Sequence, residues 1–181
     1  MNKNKKTTNK KVSFSNLTYH LINQISMSLI TFRPAELQDL QLLYDFEQGI
    51  ITAERPFDST LKGGHINYYD LKVLIESDEA EVIVVEFDKE IIASGYAQIR
   101  EGKDFQSFTS FAYLGFMFVK PDQRGKGVIS QLLERLKKWS QSKGITEIRL
   151  EVYNDNEPAV RAYEKAGFKK HMVEMRLNLK S

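Results

Sequence analysis

Residues 119–136 read VKPDQRGKGVISQLLERL, an abrupt cationic, glycine-rich turn set between an apolar run and a helical run. Gly125 and Gly127 let the chain bend sharply and bring its backbone close to a ligand, and the helix that follows points its unpaired N–H groups into the same space. Such a corner favours anions. Arg124 adds a guanidinium able to form forked, charge-assisted bonds, so a pyrophosphate suits the turn. The Walker order GxxxxGK followed by Ser or Thr is missing, and a single short glycine pair does not make the GxGxxG dinucleotide fingerprint. On spacing alone, a structural turn with a surface arginine competes evenly with a phosphate cradle.

Upstream of the turn, FAYLGFMFV (111–119) reads as a long apolar strand. Before it, EVIVVEF (81–87) and IIASGYAQIR (91–100) are β-branched runs separated by Asp88, Lys89 and Glu90, the pattern of an antiparallel hairpin. Downstream, Val128, Ile129, Leu132, Leu133, Leu136 and Trp139 share one helix face that ends near Gly144. TEIRLEVY (146–153) then alternates as a strand, and Pro158 suits the first turn of a last helix carrying Ala159, Ala162, Tyr163 and Ala166. Gly167 closes that helix, and Phe168 to Leu179 reads as a final strand.

Near the start, Leu29 to Arg33 is a short β-prone run, Pro34 suits a helix start, and Leu37, Leu40, Leu43 and Tyr44 recur at helical spacing. Residues 49–65 mix apolar residues with turn formers and read as a variable, partner-facing region, followed by a broken helical pattern over 66–77. The order predicts an α/β domain with a mixed sheet, because the hairpin is antiparallel while the late helices allow parallel crossovers.

The 181-residue chain is 41% hydrophobic and 28% charged, the make-up of one soluble globular domain. It has no cysteine, which excludes thiolate nucleophiles, disulfides and Cys-ligated metals. Residues 1–35 hold five lysines and Arg33 with no acid, so the remainder is net negative. We expect residues 1–26 to be a basic, disordered extension and residues 27–181 to be the domain. The extension has no continuous apolar segment for a signal peptide or membrane span, and its lysines lack interleaved aromatics, which argues against nucleic acid. A cytoplasmic protein fits these features.

VKPDQRGKG, the long helix and IRLEVYNDNEPAVRAYEKAGFKK (148–170) together resemble the GNAT family of acetyl-CoA-dependent N-acetyltransferases, densely from Phe116 to Lys169. The resemblance implies a GNAT fold, with a mixed central sheet of about six or seven strands flanked by about four helices. It implies that Arg124, Gly125, Lys126, Gly127, Val128 and Ile129 hold the coenzyme A pyrophosphate. Ile129 stands where the family has a small residue, so either the helix sits farther from the phosphates or the side chain turns into the core. The backbone of Met117, Phe118 and Val119 would pair with the pantetheine arm, and Phe118 N–H or a neighbour would polarise the thioester carbonyl.

Asn156, Ala159, Tyr163, Gly167 and Phe168 match the family's second signature, with Tyr163 similar to the tyrosine that protonates the departing thiolate. Glu151 stands at a spacing that resembles the catalytic base of the acetyltransferases acting on a ribosomal protein's N-terminus. Without the resemblance, Tyr163 reads as a core aromatic and Glu151 as the solvent side of a strand. The implied reaction is direct attack by a primary amine of a small molecule or peptide, with no covalent enzyme intermediate and no metal. The alternative is a non-catalytic coenzyme A sensor of the same fold. Glu54, Asp58, His65 and Asp70 are candidates to attract the amine, against the plain reading of scattered surface charge. Phe105, Phe108 and Phe111 suit an acceptor wall, a homodimer contact or simple burial, while His20 and His171 lack ligand-like spacing.

Overall fold

Alternation of apolar side chains across residues 80–101 sets the centre of the molecule. In the computed structural model, which describes residues 30–179, β2 (Ala80–Phe87) and β3 (Glu90–Glu101) form the expected antiparallel hairpin. Asp88 and Lys89 make its turn at φ 50° and 65°, and two left-handed residues in a row match the twist of the strands they join. β1 (Ile30–Pro34) pairs antiparallel with β2, and β4 (Ser110–Val119) pairs antiparallel with β3. β5 (Ile148–Arg149) lies parallel to β4, giving the order β1-β2-β3-β4-β5. The basic extension expected over residues 1–26 lies outside the described residues.

Strand alternation gives the sheet two apolar faces. Val82, Val84, Tyr96 and Phe116 face α1 (Leu40–Glu54) and α2 (Leu71–Glu76), meeting Leu43, Phe46, Leu71 and Leu74. Ile83, Val85, Ile92, Ala97 and Leu114 face α3 (Val128–Ser142), through Leu132, Leu133 and Leu136. α4 (Glu157–Lys165) lays Tyr163 against this second core, its first turn capped by Asn156, whose side chain accepts from Ala159 N at 3.4 Å. Gly144 and Gly167 follow α3 and α4 at φ 75° and 95°, the left-handed stop expected of them.

The structure corrects the sequence reading in two places. Pro34 ends β1 instead of opening a helix; a 3-10 turn, Leu37–Asp39, comes next. Arg33 fixes this corner, gripping Asp39 at 2.7 and 3.0 Å while its Nε donates to Glu86 at 2.8 Å. The run expected as a final strand, Phe168 to Leu179, joins no ladder and only Ile148 and Arg149 of TEIRLEVY pair, so the mixed sheet has five strands, slightly fewer than the expected count of about six or seven. β4 and β5 pair only at Ala112–Ile148 and Tyr113–Arg149, and in the final run Val173, Met175, Leu177 and Leu179 are exposed.

Candidate active site

The wedge between β4 and β5 opens beside an irregularity in β4. Tyr96 pairs with Gly115 but Ser94 with Phe118, so Phe116 and Met117 together oppose Gly95 in a bulge, with Phe116 at φ 58°. Phe116 N donates to the Tyr69 hydroxyl and Ser94 Oγ to the Phe116 carbonyl, both at 3.4 Å. Lys120 N donates to Ile92 O at 2.9 Å, and since bonded pairs alternate, Ser94 and Phe118 form the next one. Phe118's own N–H and C=O therefore face β3. Val119's face the wedge, where Arg124 Nε reaches the Val119 carbonyl at 3.1 Å. Of the backbone N–H groups expected to serve there, Phe118 or a neighbour, it is Val119 N–H that faces the wedge, while the Phe118 ring packs on Phe46 at 4.4 Å and Met117 packs on the α3 side.

At the end of β4 a 3-10 turn, Pro121–Gln123, leads to Arg124 in extended conformation. Gly125 and Gly127 follow at φ 75° and 79°, a geometry that costs other residues about 1–2 kcal/mol. Gly127 caps α3 without a side chain, and the first intrahelical bond runs from Gln131 N to Gly127 O at 3.3 Å. The N–H groups of Val128, Ile129 and Ser130 consequently face open space beside exposed Arg124 and Lys126. Lys126 Nζ donates to Gln123 at 3.0 Å. Ile129 turns its side chain into the core beneath α3, so the turn keeps its backbone donors.

Across the wedge, Tyr163 stands half-buried with its ring edge-on to Phe168, centroids 6.1 Å apart. Burial pushes its phenol up to about 12, helped by the charge of Glu54. Glu54 is the last residue of α1; it is half-buried, and burial raises its carboxyl. Its charge also acts on Tyr68 and Tyr153. The Tyr68 hydroxyl lies beside Glu54, buried and without a hydrogen bond of normal length.

Asp58 is buried and accepts from Thr60 N at 2.9 Å, Thr60 Oγ1 at 2.6 Å and Tyr153 Oη at 3.2 Å, besides the Arg176 guanidinium. Arg176 first, then Thr60, holds this carboxyl far below the usual carboxylate range. Burial, then Asp58, pushes Tyr153 up to about 12, and its ring stacks on Phe57 at 6.1 Å.

Glu54 and Asp58 both act electrostatically on Tyr68 and Tyr153, whereas His65 is exposed and Asp70 caps α2, accepting from Val73 N at 3.1 Å. Asp70 also lines an open depression of about 450 Å³ with Tyr44, Asn67, Tyr68 and Tyr69. Glu151 is exposed, and its charge acts on Tyr113 and Tyr96; the carboxylate whose charge reaches Tyr163 is Glu54. Phe105 is 82% exposed, whereas Phe108 and Phe111 flank the Arg149 guanidinium at 4.9 and 4.7 Å. Sequence reasoning missed Tyr68, Tyr153 and Arg176. It also missed Glu47, fully buried in α1, which accepts from Tyr68 N at 2.7 Å and Tyr69 N at 2.8 Å. Its place on the apolar face of α1, between Leu43 and Ile51, was the available signal.

Among the described residues no group of three His, Asp or Glu side chains is placed to hold a metal ion, and no helix is long and apolar enough to cross a membrane.

Comparison with known proteins agrees with this geometry. The sequence profile of the acetyltransferase (GNAT) family matches residues 43–168. An acetyltransferase of Sodalis glossinidius is 31% identical over 121 residues, covering 67% of this chain and 78% of that protein. Streptothricin acetyltransferase of Escherichia coli is 39% identical over 62 residues, which span 34% of this chain and only 36% of that protein. The fold is shared with a crystal structure described as a predicted acetyltransferase with acetyl-CoA from Clostridium acetobutylicum, at a TM-score of 0.63 and 20% identity, covering 83% of this chain and 96% of the other.

Proposed function

The chain belongs to the GNAT acetyltransferase family, and from that premise we propose that residues 27–181 form an N-acetyltransferase using acetyl-CoA. The acceptor is a primary amine of a small molecule or peptide, which attacks the thioester directly. One geometry supports this above all: the unpaired edge of β4 runs into the Arg124–Ile129 turn, so a strand-like arm and an anionic end would be met in sequence by one continuous stretch of backbone.

In this scheme Arg124, Lys126 and the N–H groups from Gly125 to Ile129 hold the pyrophosphate. Met117, Phe118 and Val119 lie along the pantetheine, with Val119 N–H directed to the wedge. Asn156 fixes the start of α4, which presents Tyr163 to the leaving sulfur, and Glu151 is the base implied by the family signature. An ordinary thiol has a pKa of about 8.5, below Tyr163, so full transfer from the phenol to a solvated thiolate would run uphill. Tyr163 therefore acts first as a hydrogen-bond donor. Its proton moves only as charge builds on a sulfur that is itself desolvated and correspondingly more basic.

The likeness to streptothricin acetyltransferase, together with the half-buried carboxylate of Glu54, favours a cationic small-molecule amine. The test is thiol release from acetyl-CoA with a panel of polyamines, amino acids, streptothricin- and aminoglycoside-type amines and short peptides. Release with at least one amine is expected. Silence across the panel with tight acetyl-CoA binding would instead make the protein a coenzyme A sensor.

A further inference from the structure

We propose that Glu54, at the C-terminal end of α1, receives the acceptor's ammonium group and takes its proton. This assignment rests on the transferase reading above and changes the residue that performs the base chemistry.

Three placements converge on it. Glu54 ends a helix, where the unpaired carbonyls and the dipole favour a cation, yet the last turn of α1 carries no basic residue. None of the ion pairs among the described residues includes Glu54. The nearby cations are committed elsewhere: Arg55 to the carbonyls of Lys62 and Gly64 at 2.5 and 2.6 Å, and Arg176 to Asp58. A half-buried carboxylate without a counter-ion is costly, and a bound ammonium would offset that cost.

The surroundings suit the same guest. Tyr68 from the loop before α2, Tyr153 from the segment after β5 and Tyr163 from α4 all lie within electrostatic reach of Glu54. Aromatic faces attract ammonium groups, and the Tyr68 hydroxyl, which lies beside Glu54, makes no hydrogen bond of normal length. Asp58, the other acid here, is already saturated by Thr60, Tyr153 and Arg176. Glu151 is exposed and turned toward Tyr113.

The protons balance. The ammonium gives one proton to Glu54, and the neutral amine forms the N–C bond to the thioester carbonyl. As the C–S bond breaks, Tyr163 gives its proton to sulfur. The proton shed by the newly acylated nitrogen restores the phenol, and Glu54 releases its own proton to solvent. Amide, free thiol and one solvent proton result.

Glu54→Gln and Glu151→Gln should be compared with the parent by thiol release over a range of pH using an amine the parent acetylates, with coenzyme A binding measured by calorimetry. Glu54→Gln is expected to bind coenzyme A normally and to lose about 10²-fold in kcat/KM for the amine. That loss should narrow as pH approaches the amine's own pKa, and it should exceed the loss in Glu151→Gln by about tenfold or more. Full activity of Glu54→Gln, a deficit that pH does not narrow, or loss of its coenzyme A binding overturns the assignment and leaves the transferase reading standing. A parent that binds coenzyme A but acetylates no amine removes the reading and the assignment together.

Discussion

Arg176 donates to both carboxylate oxygens of Asp58, at 3.0 and 3.2 Å, and so ties the C-terminal segment to the loop that follows α1. That segment joins no strand, and its apolar residues are exposed, so this ion pair is one of the contacts that hold it against the domain.

Arg176→Ala should therefore free residues 169–179 without unfolding the domain. Amide exchange should speed up across that segment and stay unchanged in β2 and β3. The amine KM should rise several-fold while the acetyl-CoA KM holds. Because the Asp58 carboxyl is depressed, the pair is complete above the ordinary carboxylate range and is lost only as pH falls through the lowered value. Between about pH 5 and 8 the anchor should not titrate.

Glu47→Ala tests a different kind of support. One oxygen of this fully buried carboxylate holds Tyr68 N and Tyr69 N, fixing the two tyrosines that flank the open depression beside Asp70 and the β4 bulge. Removing it strands two backbone donors in the interior, where each costs about 1–3 kcal/mol. Denaturant unfolding should show a loss of roughly 2–4 kcal/mol, consistent with those two donors relaxing in part. A loss under 0.5 kcal/mol would mean that water replaces the carboxylate.

The hairpin, β4, α3 and α4 were legible because each carries a strong local period and ends at a residue with one conformational use, such as Gly144 or Gly167. Alternation over residues 173–179 was equally regular, yet a period specifies a face and not a neighbour, and that run joins no ladder. The glycine turn was readable for the same local reason. Glu54, Tyr68, Tyr153 and Tyr163 were not readable as a group, since packing between distant segments brings them together. Glu151 and Tyr163 share a sequence signature, but the exposed and half-buried positions they occupy belong to different surroundings.

The anion turn should respond to charge and to backbone separately. Arg124→Ala loses a charge-assisted bond of about 1.5–3 kcal/mol, so the acetyl-CoA dissociation constant should rise about 10- to 100-fold, and lysine should restore only part because it lacks the fork. Gly127→Ala would meet nothing within 4 Å, so its effect must come from φ 79° alone. A strain of about 1–2 kcal/mol predicts roughly tenfold weaker binding and a slightly lower melting temperature. Calorimetric titration of both variants checks this; unchanged affinity in Gly127→Ala would show that the turn keeps its shape without glycine.

Tyr163→Phe isolates the leaving-group step. Phenylalanine preserves the packing against Phe168 and the α3 face, so stability and coenzyme A affinity should match the parent. Turnover should fall about 10²-fold or more if the hydroxyl serves the departing sulfur. The pH profile sharpens the test. Burial raises this phenol from its ordinary value to about 12, so it remains protonated throughout the working range and begins to ionise only well above pH 10. The parent should show no alkaline decline from Tyr163 below that point, and the variant's deficit should be constant from neutral to moderately alkaline pH. A deficit that disappears when a thioester with a more acidic thiol replaces acetyl-CoA would identify the missing function as assistance to sulfur, since a better leaving group needs less of it. A deficit of the same size with both thioesters would assign Tyr163 to positioning instead.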